Sequence, residues 1–175
     1  DRLVRVATKM NKRMSMSISP QSLNPDTLKA IKRKNLGNDN VEGVYSAMDK
    51  VGLTTNAGII VPLPEETKDT FFEGLRRLSN SNLEQPLPYT AMMLKGTELA
   101  SKESRSRYGL KTRYRLVPRE FGEYFGKRVF EIEELCIETN TMSYQDYVDC
   151  RAFVFIFTTY SHKQFDILRR HTKEL

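Results

Sequence analysis

A chain of 175 residues and 20.3 kDa suits one domain, or one domain with an appendage, and 39% hydrophobic content is enough for a core. Its longest apolar run, Ala152 to Phe157, is far too short to cross a bilayer as a helix. The net charge of +6 is patchy, basic over residues 2–34 and 102–119 but acidic over 131–149, which argues against the single stripe of a nucleic-acid binder.

In chain order, Leu3, Val4, Ala7 and Met10 recur at helical spacing between Arg2, Arg5, Lys9 and Lys12, which predicts a helix. The chain opens on Asp1 inside that pattern, so it is expected to be a piece of a longer protein. Met14 to Ile18 alternates like a strand with one face toward a polar interior. Asn24 and Pro25 read as N-cap and first-turn residue, with Leu28 and Ile31 on the buried face of a second helix. After a loop from Asn35 to Asn40, Val41, Val44, Tyr45 and Met48 mark a third helix, stopped by Gly52. Leu53 to Leu63 reads as a buried strand ended by Pro62 and Pro64. Glu65, Glu66 and Asp69 then place negative charge at the start of a helix whose apolar stripe is Phe71, Phe72, Leu75 and Leu78. A further strand runs from Gln85 to Leu94 and closes at Gly96. Such alternation predicts an α/β fold with a parallel sheet.

Past Leu99 the pattern changes. Ser101 to Arg107 reads as a polar loop, and Thr112 to Val117 as a strand, with Gly122 and Gly126 marking a turn. Phe130 to Thr139 is expected to be a strand whose apolar phase slips at Glu133-Glu134. Ser143 caps the last helix, with Asp146 completing a capping box. That helix is apolar nearly all round from Tyr147 to Tyr160, so it is expected to be buried.

The candidate site begins with Gln21 at a strand end and Arg33 about three turns into the next helix. An amide and a guanidinium so placed form a fork for a small zwitterion with a carboxylate. By spacing alone, a locally satisfied amide and a solvated arginine are the commoner outcome. Glu131, Glu133, Glu134 and Glu138 point to alternating faces of a strand and read as solvated rather than as acid/base pairs. Cys136 and Cys150 suit neither a disulfide framework nor a metal site and fit a reducing, cytoplasmic setting. His162 and His171 stand without a ligand set at suitable spacing.

Three pieces together resemble the second half of the radical S-adenosylmethionine (radical SAM) barrel. Residues 17–33, Ser-Ile-Ser-Pro-Gln-Ser-Leu-Asn-Pro-Asp-Thr-Leu-Lys-Ala-Ile-Lys-Arg, look like the fourth strand and its helix. Residues 58–67, Gly-Ile-Ile-Val-Pro-Leu-Pro-Glu-Glu-Thr, look like the fifth strand entering the family's I-x-G-L-P-G-E-T turn. Residues 88–99, Pro-Tyr-Thr-Ala-Met-Met-Leu-Lys-Gly-Thr-Glu-Leu, look like the sixth strand and its L-P-G-T-E-L ending. The remainder, including Phe121-Gly-Glu-Tyr-Phe-Gly126, is similar to the tail of radical SAM proteins that carry an N-terminal cobalamin-binding domain.

The resemblance implies a partial (β/α) TIM-like barrel over residues 1–99 and an α+β C-terminal extension over residues 100–175. It implies S-adenosylmethionine as cofactor, a 4Fe–4S cluster with its ligands outside this chain, and cobalamin if the parent carries that domain. Gln21 and Arg33 would contact the methionine part or ribose, and Ile60 the adenine, with Thr90 to Met92 on its other side. A position that is often acidic in the family falls on Gly58. Pro62 and Glu65 replace glycines of the turn, and Lys95 stands where proline is common. The three-cysteine motif C-x-x-x-C-x-x-C is absent, so this piece alone is expected to be inactive. The parent would cleave S-adenosylmethionine reductively, giving a 5′-deoxyadenosyl radical for hydrogen abstraction, or would transfer methyl groups with cobalamin. Its partners would be a small-molecule or peptide substrate and the rest of the parent chain, without membrane or nucleic acid. The rival class is a non-catalytic binding domain whose basic helices meet nucleic acid or an acidic partner.

Overall fold

Alternation along three short strands builds the sheet around which the rest is arranged. In this computed structural model the described residues are 15–35, 54–79 and 85–160, with 5, 6, 9, 43 and 50. The expected helices at Leu3–Met10 and Val41–Met48 fall almost wholly outside them, as do His162 and His171. Strands β1 (Ser15–Gln21), β2 (Thr54–Val61) and β3 (Gln85–Thr90) lie side by side in that order, all parallel. Helix α1 (Pro25–Ala30) follows β1, and α2 (Lys68–Ser79) follows β2, as the α/β partial-barrel expectation requires. Asn24 caps α1 as read from sequence, its side chain accepting from the Asp26 amide at 3.0 Å.

Side chains alternate across a strand, so the sheet has two different faces. Ala57, Ile59 and Val61 project outward with Ile18 and pack on Phe71, Leu75 and Leu78 of α2. The same core takes in Met142, Cys150 and Val154. Ile60 projects the other way, toward a second core of Leu63, Ala91, Met93, Leu110 and Cys136.

The C-terminal part corrects four expectations. Ser101 to Arg107 is a helix, α3 (Lys102–Tyr108), rather than a loop. It is polar all round, so periodicity is blind to it; Ser101 caps its start and left-handed Gly109 its end. It is held from outside by the Arg105 guanidinium, which meets the Glu134 carboxylate with two bonds of 2.7 and 2.8 Å. Next, β4 (Lys111–Tyr124) and β5 (Lys127–Glu138) form one long antiparallel hairpin. Its main slip lies between Leu116 and Phe121 on β4, where Arg119 is left-handed, not at Glu133-Glu134. Third, β3 ends at Thr90 instead of Leu94, because the following residues change partner. The Ala91 amide still bonds Val61, whereas the Met93 amide donates to the Glu134 carbonyl at 2.8 Å, which attaches the hairpin to the sheet.

The fourth correction concerns α4 (Tyr144–Tyr160), which is half buried. Ser143 and Asp146 form the expected capping box, the Asp146 amide donating to Ser143 Oγ at 3.1 Å and the Ser143 amide to Asp146 Oδ2 at 3.3 Å. Lys68 of α2 bridges Asp146 and Asp149 at 2.9 and 3.0 Å and fixes where the helix crosses α2. Among its described side chains, Cys150 and Val154 are buried in the outer core with Tyr147 and Phe157 beside them, while Phe155 remains 72% exposed. Leu75→Ala should therefore cost roughly 3 kcal/mol in chemical denaturation, by loss of buried area and the cavity left behind. The same truncation of Phe155 should change stability by less than about 0.5 kcal/mol.

Candidate functional site

At the C-terminal ends of the strands, where (β/α) barrels place their sites, the second core opens into a cleft of about 390 Å³. Gln21, Arg33, Ile60, Leu63, Glu98 and Tyr108 contribute to its lining. The Arg33 guanidinium donates to the Ser19 carbonyl at 2.6 Å, and the Gln21 amide reaches the same oxygen at 3.3 Å. The two donors thus converge on one backbone acceptor at the rim of an apolar floor. Across the mouth, Lys32 Nζ meets Glu98 Oε1 at 2.5 Å, with both side chains exposed.

Placement of Gln21 is unusual. Its backbone is left-handed, with φ of 67°, at a break in the β1–β2 register between Ile18 and Gln21. A non-glycine residue there is held by its surroundings. Those surroundings are the next residue and a buried carboxylate. Ser22 Oγ donates to Glu66, and Thr70 Oγ1 donates to the other oxygen of the same carboxylate at 2.5 Å. Ser22 Oγ also accepts the Asn24 amide at 3.0 Å, and its carbonyl accepts from the Asn35 side chain at 2.9 Å. Thr141, from the loop before α4, donates to the Glu66 carbonyl at 2.8 Å.

Glu66, expected to place its charge at the start of a helix, is instead buried at 1% exposure. Helix α2 begins at Lys68, and only Asp69 occupies its first turn as expected. Burial raises the Glu66 pKa, opposed by hydrogen bonds from Ser22, Thr70 and Asn24. Thr27 is near enough to lower it as well, though its hydroxyl lacks good hydrogen-bond geometry.

The other expected site residues separate by strand face. Gly58 is buried, and a Cβ there would lie 2.7 Å from Ser19 Oγ and 3.5 Å from the Tyr89 ring. Ser19 occupies the space a larger residue would need. Thr90 and Met92 were expected opposite Ile60, but strand parity puts them on the other face. Ile60 pairs with Tyr89, and Ala91 and Met93 share its core. Thr90 instead lies 3.3 Å from the Tyr147 hydroxyl of α4, and Met92 bridges Leu135. Tyr108 lines the cleft, while Tyr114 and Tyr124 are exposed on the hairpin.

Two turns frame the cleft. In Leu63-Pro64-Glu65-Glu66 the last amide bonds the first carbonyl at 3.1 Å, and Glu65 has φ of 61°. In Leu94-Lys95-Gly96-Thr97 the same bond is again 3.1 Å, and Gly96 has φ of 84°. Both follow the type II pattern, which favours proline second and glycine third. The Val61-Pro62 bond just before the first turn is cis.

No group of three histidine, cysteine or acidic side chains able to hold a metal occurs among the described residues. Cys136 and Cys150 lie in separate cores, where burial pushes their thiols up to about 11 and about 12. A cluster therefore has no ligand set here. The cleft's donors and floor do fit an amino acid joined to a nucleoside: paired N–H groups for a carboxylate, and the Ile60 side for a base.

These features define part of a (β/α) barrel with an open cleft at its strand ends. No protein-family model matches the chain. Over 145 residues it is 32% identical to the 2-(S-pantetheinyl)-carbapenam-3-carboxylate methyltransferase of Streptantibioticus cattleyicolor, and equally to the cobalamin-dependent radical SAM methyltransferase TokK of Streptomyces tokunonensis. Each alignment covers 81% of this chain and 21% of the relative, so the chain spans about a fifth of the length of these curated relatives. Its fold matches that of coproporphyrinogen III oxidase (HemN) from Escherichia coli, a radical SAM enzyme, with a TM-score of 0.55 at 14% identity. That match covers 90% of this chain and 30% of the other. Over most of its length the chain is thus similar to a part of radical SAM methyltransferases and shares the fold of a radical SAM enzyme.

Glu65→Gly and Lys95→Pro should each stabilise the fold by about 0.5–1 kcal/mol in denaturant titrations, the first by relieving left-handed strain and the second by restricting the unfolded chain. Glu66 keeps its proton to higher pH when folded than its ordinary 4.5. It therefore adds stability below that value and loses it as pH rises through the native one. Thermal unfolding across pH should show Glu66→Gln gaining on the wild type as pH rises from about 4.5.

Proposed function

We propose that this chain is the cofactor-holding half of the barrel of a radical SAM enzyme, and that the whole enzyme transfers methyl groups with cobalamin. The observation that carries the reading is the meeting of the Gln21 amide and the Arg33 guanidinium on the Ser19 carbonyl, beside Ile60. A carboxylate brought to that rim could replace the carbonyl as acceptor for both groups, and the planar guanidinium would fix its orientation. Ile60 and the inner core would exclude water beneath the base. S-adenosylmethionine would supply a 5′-deoxyadenosyl radical when an electron from a 4Fe–4S cluster cleaves it and methionine leaves, or an electrophilic methyl group for cobalamin when S-adenosylhomocysteine leaves.

Methyl transfer is favoured over other outcomes because both curated relatives bear methyltransferase names, one of them cobalamin-dependent. The cluster ligands, the cobalamin and the substrate contacts would belong to other parts of the polypeptide. A small-molecule or peptide substrate would enter above the strand ends. No described helix is long and apolar enough to cross a membrane. The crowding at Gly58 favours a second reading, a degenerate barrel that only binds a partner.

Calorimetry on the intact protein separates the two. Arg33→Ala should weaken S-adenosylmethionine binding about 10- to 100-fold, the scale of a charge-assisted hydrogen-bonded contact. Arg33→Lys should restore only part, since a point charge lacks the fork. Unchanged affinity in Arg33→Ala, or salt-sensitive polyanion binding in place of cofactor binding, would overturn the assignment.

A further inference from the structure

The segment from Gln21 to Asn35 leaves β1, forms α1 and returns to the cleft with Arg33, so both donors depend on how its two ends are fastened. One residue fastens both. Ser22 gives its hydroxyl hydrogen to Glu66, accepts the Asn24 amide on the same oxygen, and receives the Asn35 side chain on its carbonyl. Gln21, immediately before it, is left-handed, a conformation that an unconstrained glutamine avoids. Arg33 lies two residues before Asn35 and shares the Ser19 carbonyl with Gln21. Glu66 touches neither donor and lines no part of the cleft, yet it is the buried anchor of the residue that ties the segment shut.

We propose that Glu66 is a positioning residue for the amino-acid end of the cofactor, acting through Ser22 to aim the Gln21 amide and the Arg33 guanidinium at one carboxylate. The inference rests on the cofactor reading above and adds a residue with its route of action. Thr70 fills the second carboxylate oxygen, so Glu66 cannot turn away from Ser22 without losing that bond too. Asn24 braces the same corner, its side chain donating to the Glu65 carbonyl at 3.0 Å. The adenine side, at Ile60, is built on β2 and the inner core and owes nothing to Ser22.

This division gives the test. A positioning role predicts loss at one end of the ligand only, whereas a merely structural role would weaken both ends. Ser22→Ala and Glu66→Gln in the intact protein should bind S-adenosylmethionine about tenfold more weakly, the scale of one or two misaligned hydrogen bonds. Both should bind 5′-methylthioadenosine, which keeps the nucleoside but lacks the amino acid, within about twofold of the wild type. Ser22→Ala removes a single hydroxyl and decides the matter if Glu66→Gln fails to fold. Equal weakening of both ligands, or unchanged S-adenosylmethionine affinity in Ser22→Ala, would overturn the inference while leaving the cofactor reading intact. A wild type that binds neither ligand would overturn both.

Discussion

A carboxylate sealed from water at the junction of three loops is the constraint on which this structure turns. Burying an acid is unfavourable unless its lone pairs are satisfied. Glu66 meets that condition with hydroxyls from Ser22 and Thr70, while its backbone carbonyl takes Thr141 from the segment that leads into α4. The loop after β1, the loop after β2 and the C-terminal extension are thereby joined at one residue. The hydroxyl donors can rotate to serve either protonation state, which lets the corner keep its shape while burial raises the pKa of the carboxyl.

Strand parity decides the rest. The outward side chains of β2 are aliphatic and are consumed in packing against α2 and α4. The inward ones face the cleft, where Ile60 forms a floor and Gly58 leaves room for Ser19 and Tyr89 to approach. One step along a strand exchanges these roles. Tyr89, Ala91 and Met93 therefore belong with Ile60, whereas Thr90 faces α4 and Met92 bridges Leu135 of the hairpin. The hairpin continues the inward face through Cys136, whose amide bonds the Ala91 carbonyl at 2.9 Å. The hairpin is a two-stranded sheet of its own, tied to the parallel sheet by the bridge between Met92 and Leu135.

Much of this was legible in the residues. Helix α1 announced itself by Asn24-Pro25, α2 by its apolar stripe, and α4 by the Ser143–Asp146 capping box, because caps and periodicity are local signals. The pairing of Gln21 with Arg33 came from spacing and family likeness, and the cleft does bring them together with Ile60. What escaped was decided at long range. Helix α3 has no apolar stripe and depends on Arg105 reaching Glu134, 29 positions away. The burial of Glu66 depends on Ser22, 44 positions away, and nothing in its own neighbourhood distinguishes it from a solvated charge. The exposure of Phe155 follows from how Lys68 holds the start of α4, which selects the stripe that faces the sheet.

The two framing turns show how the chain tolerates its departures from the family pattern. A type II turn needs a proline-like φ at its second position and a positive φ at its third. The turn after β2 keeps Pro64 but has Glu65 where glycine is easiest; the turn after β3 keeps Gly96 but has Lys95 where proline is easiest. Each has lost one of its two local determinants and closes with the same 3.1 Å bond. For the second turn the retained glycine is enough, since lysine adopts the required φ with only an entropic handicap. For the first, left-handed Glu65 is unfavourable in itself, and its conformation must be imposed from outside. The imposing contacts are at hand: Asn24 holds the Glu65 carbonyl, and the next residue is the buried Glu66. The buried acid that orders the donor segment therefore also sustains the turn that lost its glycine, so the cleft's wall and its donors share one anchor.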